Sequence, residues 1–185
     1  LLKHIVNNRP EKLDDAFYLL SQTAGLASLR FGIYGLGVFI FAKDTNKKLR
    51  GLNLASGLVA AGGLAYGTKL FYKRNRPYAD HPDLVHYYEP SSASFPSTST
   101  ALAFGTATSL SLVYKKWYVA APAYVWASAV GYSRMHLGVH YPSDVLAGAV
   151  LGAGSSYLSF KANKWLVKQT KTRSKKPKEI KSSEN

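Results

Sequence analysis

The sequence predicts an all-α fold: a compact, membrane-embedded bundle of about five apolar helices, led by a short amphipathic helix. Three observations carry that expectation. Residues 24–42, 52–68, 101–114, 117–132 and 145–160 are apolar stretches, and only the first holds a charge, Arg30. Glycine and alanine recur inside them, a composition that suits close helix contact in lipid and that a water-exposed helix tolerates poorly. If the stretches alternate across a bilayer, the basic loops 43–50 and 115–116 and the residues from Lys161 onward all fall on one face, which should be cytoplasmic.

The opening LLKHIVNNRP reads as the end of an apolar segment running into a polar one, so a signal peptide or a further helix is expected upstream. Residues 9–22 read as a short amphipathic helix with Pro10 in its first turn. In the next stretch Arg30 must snorkel or face a polar neighbour. After the loop KDTNKKLR, residues 52–68 are expected to continue as helix through Lys69, Lys73 and Arg76, three cations on one face by their spacing, until Pro77 stops it. SFPSTST, Ser94 to Thr100, opens the third apolar helix with hydroxyls suited to capping. The last three stretches are each shorter than the ~20 residues of a full span. Residues 1–160 are expected to form the helical domain and 161–185 a basic, disordered cytoplasmic tail, being poor in apolar residues after Val167.

Twenty-four Lys and Arg against ten Asp and Glu give the 185-residue chain a charge of +14, and half of it, +7, lies in residues 161–185. Such a charge suits nucleic acid, an anionic membrane or a phosphate-bearing substrate. The basic tail lacks aromatic interleaving and any nucleic-acid motif, so a segment beside a membrane is the better reading. The absence of cysteine excludes disulfides and thiolate metal sites.

Chemistry is concentrated in Gly131 to Asp144, GYSRMHLGVHYPSD. His140 and Asp144 stand four residues apart, a spacing that brings an imidazole and a carboxylate together; the carboxylate would fix the ring's tautomer and stabilise the cation formed on attack. Arg134 supplies a permanent cation for an anionic substrate. Lys69, Lys73 and Arg76 repel one another unless a phosphate relieves them, and exposed N–H groups at the helix start after Pro96 would bind an oxyanion. Each feature alone reads as a surface salt bridge, a solvated face or an ordinary helix cap.

Together, K-x6-R-P at Lys69 to Pro77, P-S-x-x-T at Pro96 to Thr100 and S-R-x5-H-x3-D at Ser133 to Asp144 resemble the three-part signature of the type 2 phosphatidic acid phosphatase superfamily, in order and in spacing. The resemblance runs from about Asp14 to Phe160, and the uncharged stretches look like the membrane branch. It implies an α-helical phosphatase acting on a lipid phosphate or diphosphate, without metal or cofactor, in the cytoplasmic membrane with its site facing outward. Lys69, Arg76, Arg134, Ser97 and Thr98 would then hold the phosphoryl oxygens, His140 would be the nucleophile that forms a phosphohistidine, and Asp144 would orient it. The chain departs from the family at one position: Ser99 stands where the general-acid histidine is expected. A hydroxyl is too weak an acid to replace it, and losing a positioned acid typically costs ~10²–10⁴ in rate. That points to an inactivated variant, a non-catalytic homologue that binds phospholipid, or an acid drawn from His136, His81 or His86. The intactness of every other motif residue favours the first.

Overall fold

A computed structural model describes residues 1–175. Seven α-helices, with no strand among the described residues, follow in order: α1 (Leu2–Asn7), α2 (Asp14–Phe41), α3 (Thr45–Phe71), α4 (Pro77–Asp80), α5 (Thr98–Tyr114), α6 (Trp117–His136) and α7 (Pro142–Lys175). The five long ones contain the five apolar stretches to within a residue, extended most at the starts of α2 and α3 and the end of α7. α5 lies at the centre, packed against α2, α3, α6 and α7.

Small side chains build that centre. Ala24, Ala103, Ala107 and Ala127 are fully buried with Val130, while Leu29, Ile33, Val59, Val125, Leu146 and Val150 face outward. The bundle therefore keeps its bulk on its surface, the reverse of a water-soluble core. Alanine and glycine let the helix backbones approach: a Cβ on Gly152 of α7 would lie 2.1 Å from the carbonyl oxygen of Ala101 in α5. Hydroxyls and amides hold the interior at the same time. Ser28 bonds Thr106 at 2.9 Å, and Ser156 donates to the carbonyls of both Gly57 and Gly105. The helical stretch Glu11–Phe41 is by itself long and apolar enough to cross a membrane.

Three expectations are corrected. The amphipathic helix of residues 9–22 is not separate: Pro10 precedes a single 3-10 turn, Glu11–Leu13, and one unbroken helix of 28 residues follows, with no proline inside it to divide the amphipathic part from the apolar part. The short helix ahead of it is α1. Second, α3 stops at Phe71, so Lys69, Lys73 and Arg76 do not share a helical face. Arg76, held extended by the following Pro77, reaches the site from an irregular segment. Third, residues 161–175 of the expected disordered tail are helical, because α7 stays tied to α3 through Asn163, which donates to Asn53 and Ser56 at 2.9 and 2.8 Å. Residues 176–185 lie outside the described residues.

The helices alternate in direction. The start of α2, the end of α3, the start of α5, the end of α6 and the start of α7 gather at one end of the bundle. The long loop 81–97 is bound there to the loop between α6 and α7, the Tyr87 N–H donating to Leu137 O at 3.1 Å, and to the segment after α3, the Ser94 N–H donating to Arg74 O at 2.9 Å. The two motif-bearing loops are thus neighbours.

Candidate active site

His140 occupies the middle of this end, in the five-residue turn between α6 and α7. Gly138 makes that turn possible, with φ of +71° and its α-carbon pressed against Val85 O, where a Cβ would come within 2.7 Å. The ring is 2% exposed. Its Nδ1 lies 3.5 Å from Asp144 Oδ2, so the four-residue spacing does bring the pair together, at the long limit of a hydrogen bond.

Asp144 is fixed chiefly by other groups. Ser94 Oγ and the Tyr141 N–H donate to Oδ2, and Arg74 Nη1 donates to Oδ1 at 2.8 Å while also reaching Ser143 Oγ at 2.8 Å. Arg74 further stacks on the Tyr141 ring, 4.0 Å from its centroid. An ionised carboxylate only accepts, so Nδ1 carries the proton and Nε2 presents its lone pair, 3.4 Å from Arg76 Nη1. Burial, reinforced by the charges of Arg134, Arg76 and Lys69 and opposed by the bond to Asp144, pushes the imidazole pKa down to about 3. The ring is neutral at physiological pH.

Three cations surround it. Lys69, Arg76 and Arg134 are 7%, 5% and 4% exposed, and none has a carboxylate partner among the described residues. Lys69 Nζ donates to Ala93 O. Arg76 donates to Ser92 O at 2.9 Å and Val139 O at 2.8 Å, which ties the loop before α5 to the histidine turn. Arg134 Nη1 donates to Ser21 Oγ at 3.0 Å and its Nε is buried without an acceptor. Lys73, the other cation expected on the face, is exposed outside this group.

Ser97 is fully buried as the N-cap of α5, its Oγ accepting from the Thr100 N–H and hydroxyl, while its own N–H donates to Asp144 O at 3.0 Å. The N–H groups of Thr98 and Ser99 belong to the first turn, where no helical carbonyl is available to them. Both residues are half-buried. None of the three histidines weighed as substitute acids is hydrogen-bonded to Lys69, Arg76, Arg134 or His140: His136 is bound to Asp14 at 2.9 Å, His86 to Glu89 at 3.0 Å while stacked on Tyr78, and His81 is exposed.

Sequence reading missed Arg74 and Ser94. Arg74 passed for one more charge in a basic loop and Ser94 for part of a hydroxyl-rich helix start, and nothing local marks either as a partner of a residue fifty or more positions away.

A neutral histidine beside a held carboxylate, three buried cations and a helix N-terminus, on an all-α bundle, form a site suited to an oxyanion. The PAP2 superfamily model matches residues 50–168. The chain belongs to that family and is a phosphatase. It is 34% identical over 147 residues to decaprenylphosphoryl-5-phosphoribose phosphatase of Mycobacterium tuberculosis, covering 73% of this chain and 75% of that one. It is 28% identical to undecaprenyl-diphosphatase BcrC of Bacillus subtilis (85% and 79% covered) and 33% identical to lipid A 4'-phosphatase of Bacteroides thetaiotaomicron, there over only 45% of this chain and 37% of the relative. Among solved structures, Aquifex aeolicus LpxE superposes with a TM-score of 0.73 at 30% identity over 86% of this chain and 92% of that one. A PAP2-type phosphatidylglycerolphosphate phosphatase of B. subtilis superposes with a TM-score of 0.68 at 26% identity, over 91% and 83%.

Proposed function

We propose that the chain hydrolyses a lipid phosphate or lipid diphosphate through a phosphohistidine, with its site at the outer face of the cytoplasmic membrane. The observation that carries this is the convergence of three buried, carboxylate-free cations on a neutral His140. Burying one charge without a counter-ion is costly, and three together demand an anion. A phosphoryl group supplies it. Relatives whose names give lipid phosphate or diphosphate substrates support the class of substrate.

In this reading Lys69, Arg76, Arg134 and the N–H groups of Thr98 and Ser99 hold the non-bridging oxygens. His140 Nε2 attacks phosphorus in line; the N–P bond forms and the bond to the leaving oxygen breaks, its electron pair departing with that oxygen. Asp144, held by Ser94, Arg74 and the Tyr141 N–H, stabilises the charge that develops on the ring. Water then attacks phosphorus, releasing phosphate and freeing His140. The exposed leucine, valine and phenylalanine girdle suits lipid, and the basic ends opposite the site suit the cytoplasmic side.

Ser99 leaves the leaving group without an acid. An alkoxide depends heavily on protonation, whereas the phosphate monoester released from a diphosphate is already a stable anion, its second pKa being about 6. Activity is therefore impaired most on monophosphates. The test is phosphate release from both lipid classes by the chain as it stands and by Ser99→His. Restoration of ~10²–10⁴ on monophosphates, with a smaller gain on diphosphates, is expected. An equal change on both would remove position 99 from leaving-group protonation, and binding without any turnover by Ser99→His would make the chain a non-catalytic lipid-binding protein.

A further inference from the structure

The segment preceding α2 is bolted to the turn that carries His140. Arg9 and Asp14, which no motif contains, form a nearly solvent-free ion pair, Nη2 to Oδ2 at 2.9 Å, with side chains 4% and 9% exposed. The other carboxylate oxygen of Asp14 meets His136 Nε2 at 2.9 Å. Arg9 Nη1 donates to His136 O at 3.1 Å and to Val85 O at 3.3 Å. One guanidinium thus joins the end of α6, the loop that seals Gly138 and the start of α2. Phe17 packs on the His136 ring, with centroids 4.2 Å apart. α1 adds an apolar clamp: Leu2 and Val6 are buried on Leu84, and Met135 and Tyr141 pack against that group.

The position of this cluster gives it a consequence. His136 lies two residues after Arg134 and four before His140, and Gly138 between them is pressed on the backbone of residues 85 and 86. The nucleophile's own link to Asp144 is long, and Asp144 is fixed independently of it. What holds the histidine turn in place therefore includes the bonds from Arg9 and Asp14. We propose that Arg9, Asp14 and His136 are positioning residues: the segment before α2 is a strap that sets the α6–α7 turn, and through it the approach of His140 to phosphorus.

The kinetic side of this rests on the phosphohistidine reading above; the structural side does not. Two measurements separate them. Hydrogen exchange on wild type, Arg9→Gln and Asp14→Asn should show faster exchange in the peptide covering residues 133–141 in both variants, with the α3 and α5 peptides unchanged. Lys3→Gln, which breaks only the exposed Lys3–Asp83 pair, should leave that peptide as in wild type. Pre-steady-state phosphoryl transfer with lipid diphosphate in excess should then show a lower burst rate constant in Arg9→Gln and Asp14→Asn, by about 10²-fold for a nucleophile displaced by ~1 Å, at an undiminished burst amplitude. Arg9→Lys, which keeps the charge on Asp14, should recover part of the rate.

Unchanged exchange at residues 133–141 overturns the strap whatever the activity. A burst amplitude that falls with the rate constant unchanged also overturns it, because that pattern means fewer folded molecules and not a misplaced nucleophile. Should no phosphoenzyme form even in wild type while exchange rises as stated, the strap stands and the phosphohistidine reading falls.

Discussion

The two ends of the bundle carry similar cations and treat them in opposite ways. Away from the site, Lys43, Lys47 and Arg50 are exposed around an open cavity of about 820 Å³ that Tyr34 and Tyr114 also line. The nearby carboxylate, Asp44, caps α3 by accepting the Lys47 N–H at 2.8 Å. At the other end Lys69, Arg76 and Arg134 are withdrawn from solvent and bound to carbonyls and a hydroxyl. Solvated lysines cost little and say little about a ligand. Buried cations without carboxylates store an unmet demand for negative charge, so the two ends differ in their demand for an anionic ligand despite similar cations.

That contrast yields graded expectations. His140→Ala should abolish phosphoenzyme formation and turnover on a lipid diphosphate in the chain as it stands, since none of His81, His86 and His136 is bonded to Lys69, Arg76 or Arg134; trapping labelled phosphate on the protein after acid-free quenching checks it, and a surviving labelled histidine would move the nucleophile elsewhere. Next in size, Arg134→Ala should weaken orthovanadate binding roughly ten- to hundredfold, the range for a charge-assisted hydrogen bond of about 1.5–3 kcal/mol. Isothermal titration reads this directly, and unchanged affinity would remove Arg134 from the cradle.

A third expectation concerns pH. The folded-state pKa of His140, about 3, lies below its ordinary 6.5, so the unfolded chain takes up the proton first as pH falls. The stability this site contributes is full above pH 6.5 and is lost progressively as pH falls toward 3. Between pH 7 and pH 5 wild type should lose about 2 kcal/mol more than His140→Ala, measured by denaturant unfolding in matched micelles. Parallel pH profiles would show that the imidazole is not buried as described. Smallest of all, Lys47→Gln at the far end should leave turnover and vanadate affinity within a factor of about two, as befits an exposed charge; a loss comparable to Arg134→Ala would erase the distinction between the ends.

Much of the fold could be read locally. The absence of charge over 101–114 and 117–132, and the glycines and alanines of 52–68, suffice to place helices, since apolar segments of that length bury or face lipid wherever they sit. Helix ends were less legible. The i, i+4, i+7 spacing of Lys69, Lys73 and Arg76 obeys helical periodicity, yet α3 releases the chain at Tyr72 because Arg76, before proline, is extended and is drawn to Ser92 and Val139. Likewise residues 161–185, poor in apolar residues after Val167, were expected to be disordered, and Asn163 bonded to Asn53, more than a hundred residues away, ties α7 to α3 beyond Phe160.

What the sequence by itself determined is the five long helices, the three motifs with their residue types, and the family that their order and spacing resemble. All of these depend on composition and on separations of a few residues. Tertiary structure alone decided that Lys69, Arg76 and Arg134 are buried without carboxylates, that Arg74 and Ser94 hold Asp144, and that Arg9 and Asp14 grip the histidine turn. These contacts that hold Asp144 and the histidine turn join residues 50 to 127 positions apart. Burial and pairing at such separations follow from how α2, α3, α6 and the loop 81–97 meet at one end of the bundle, and no periodicity along the chain encodes that meeting.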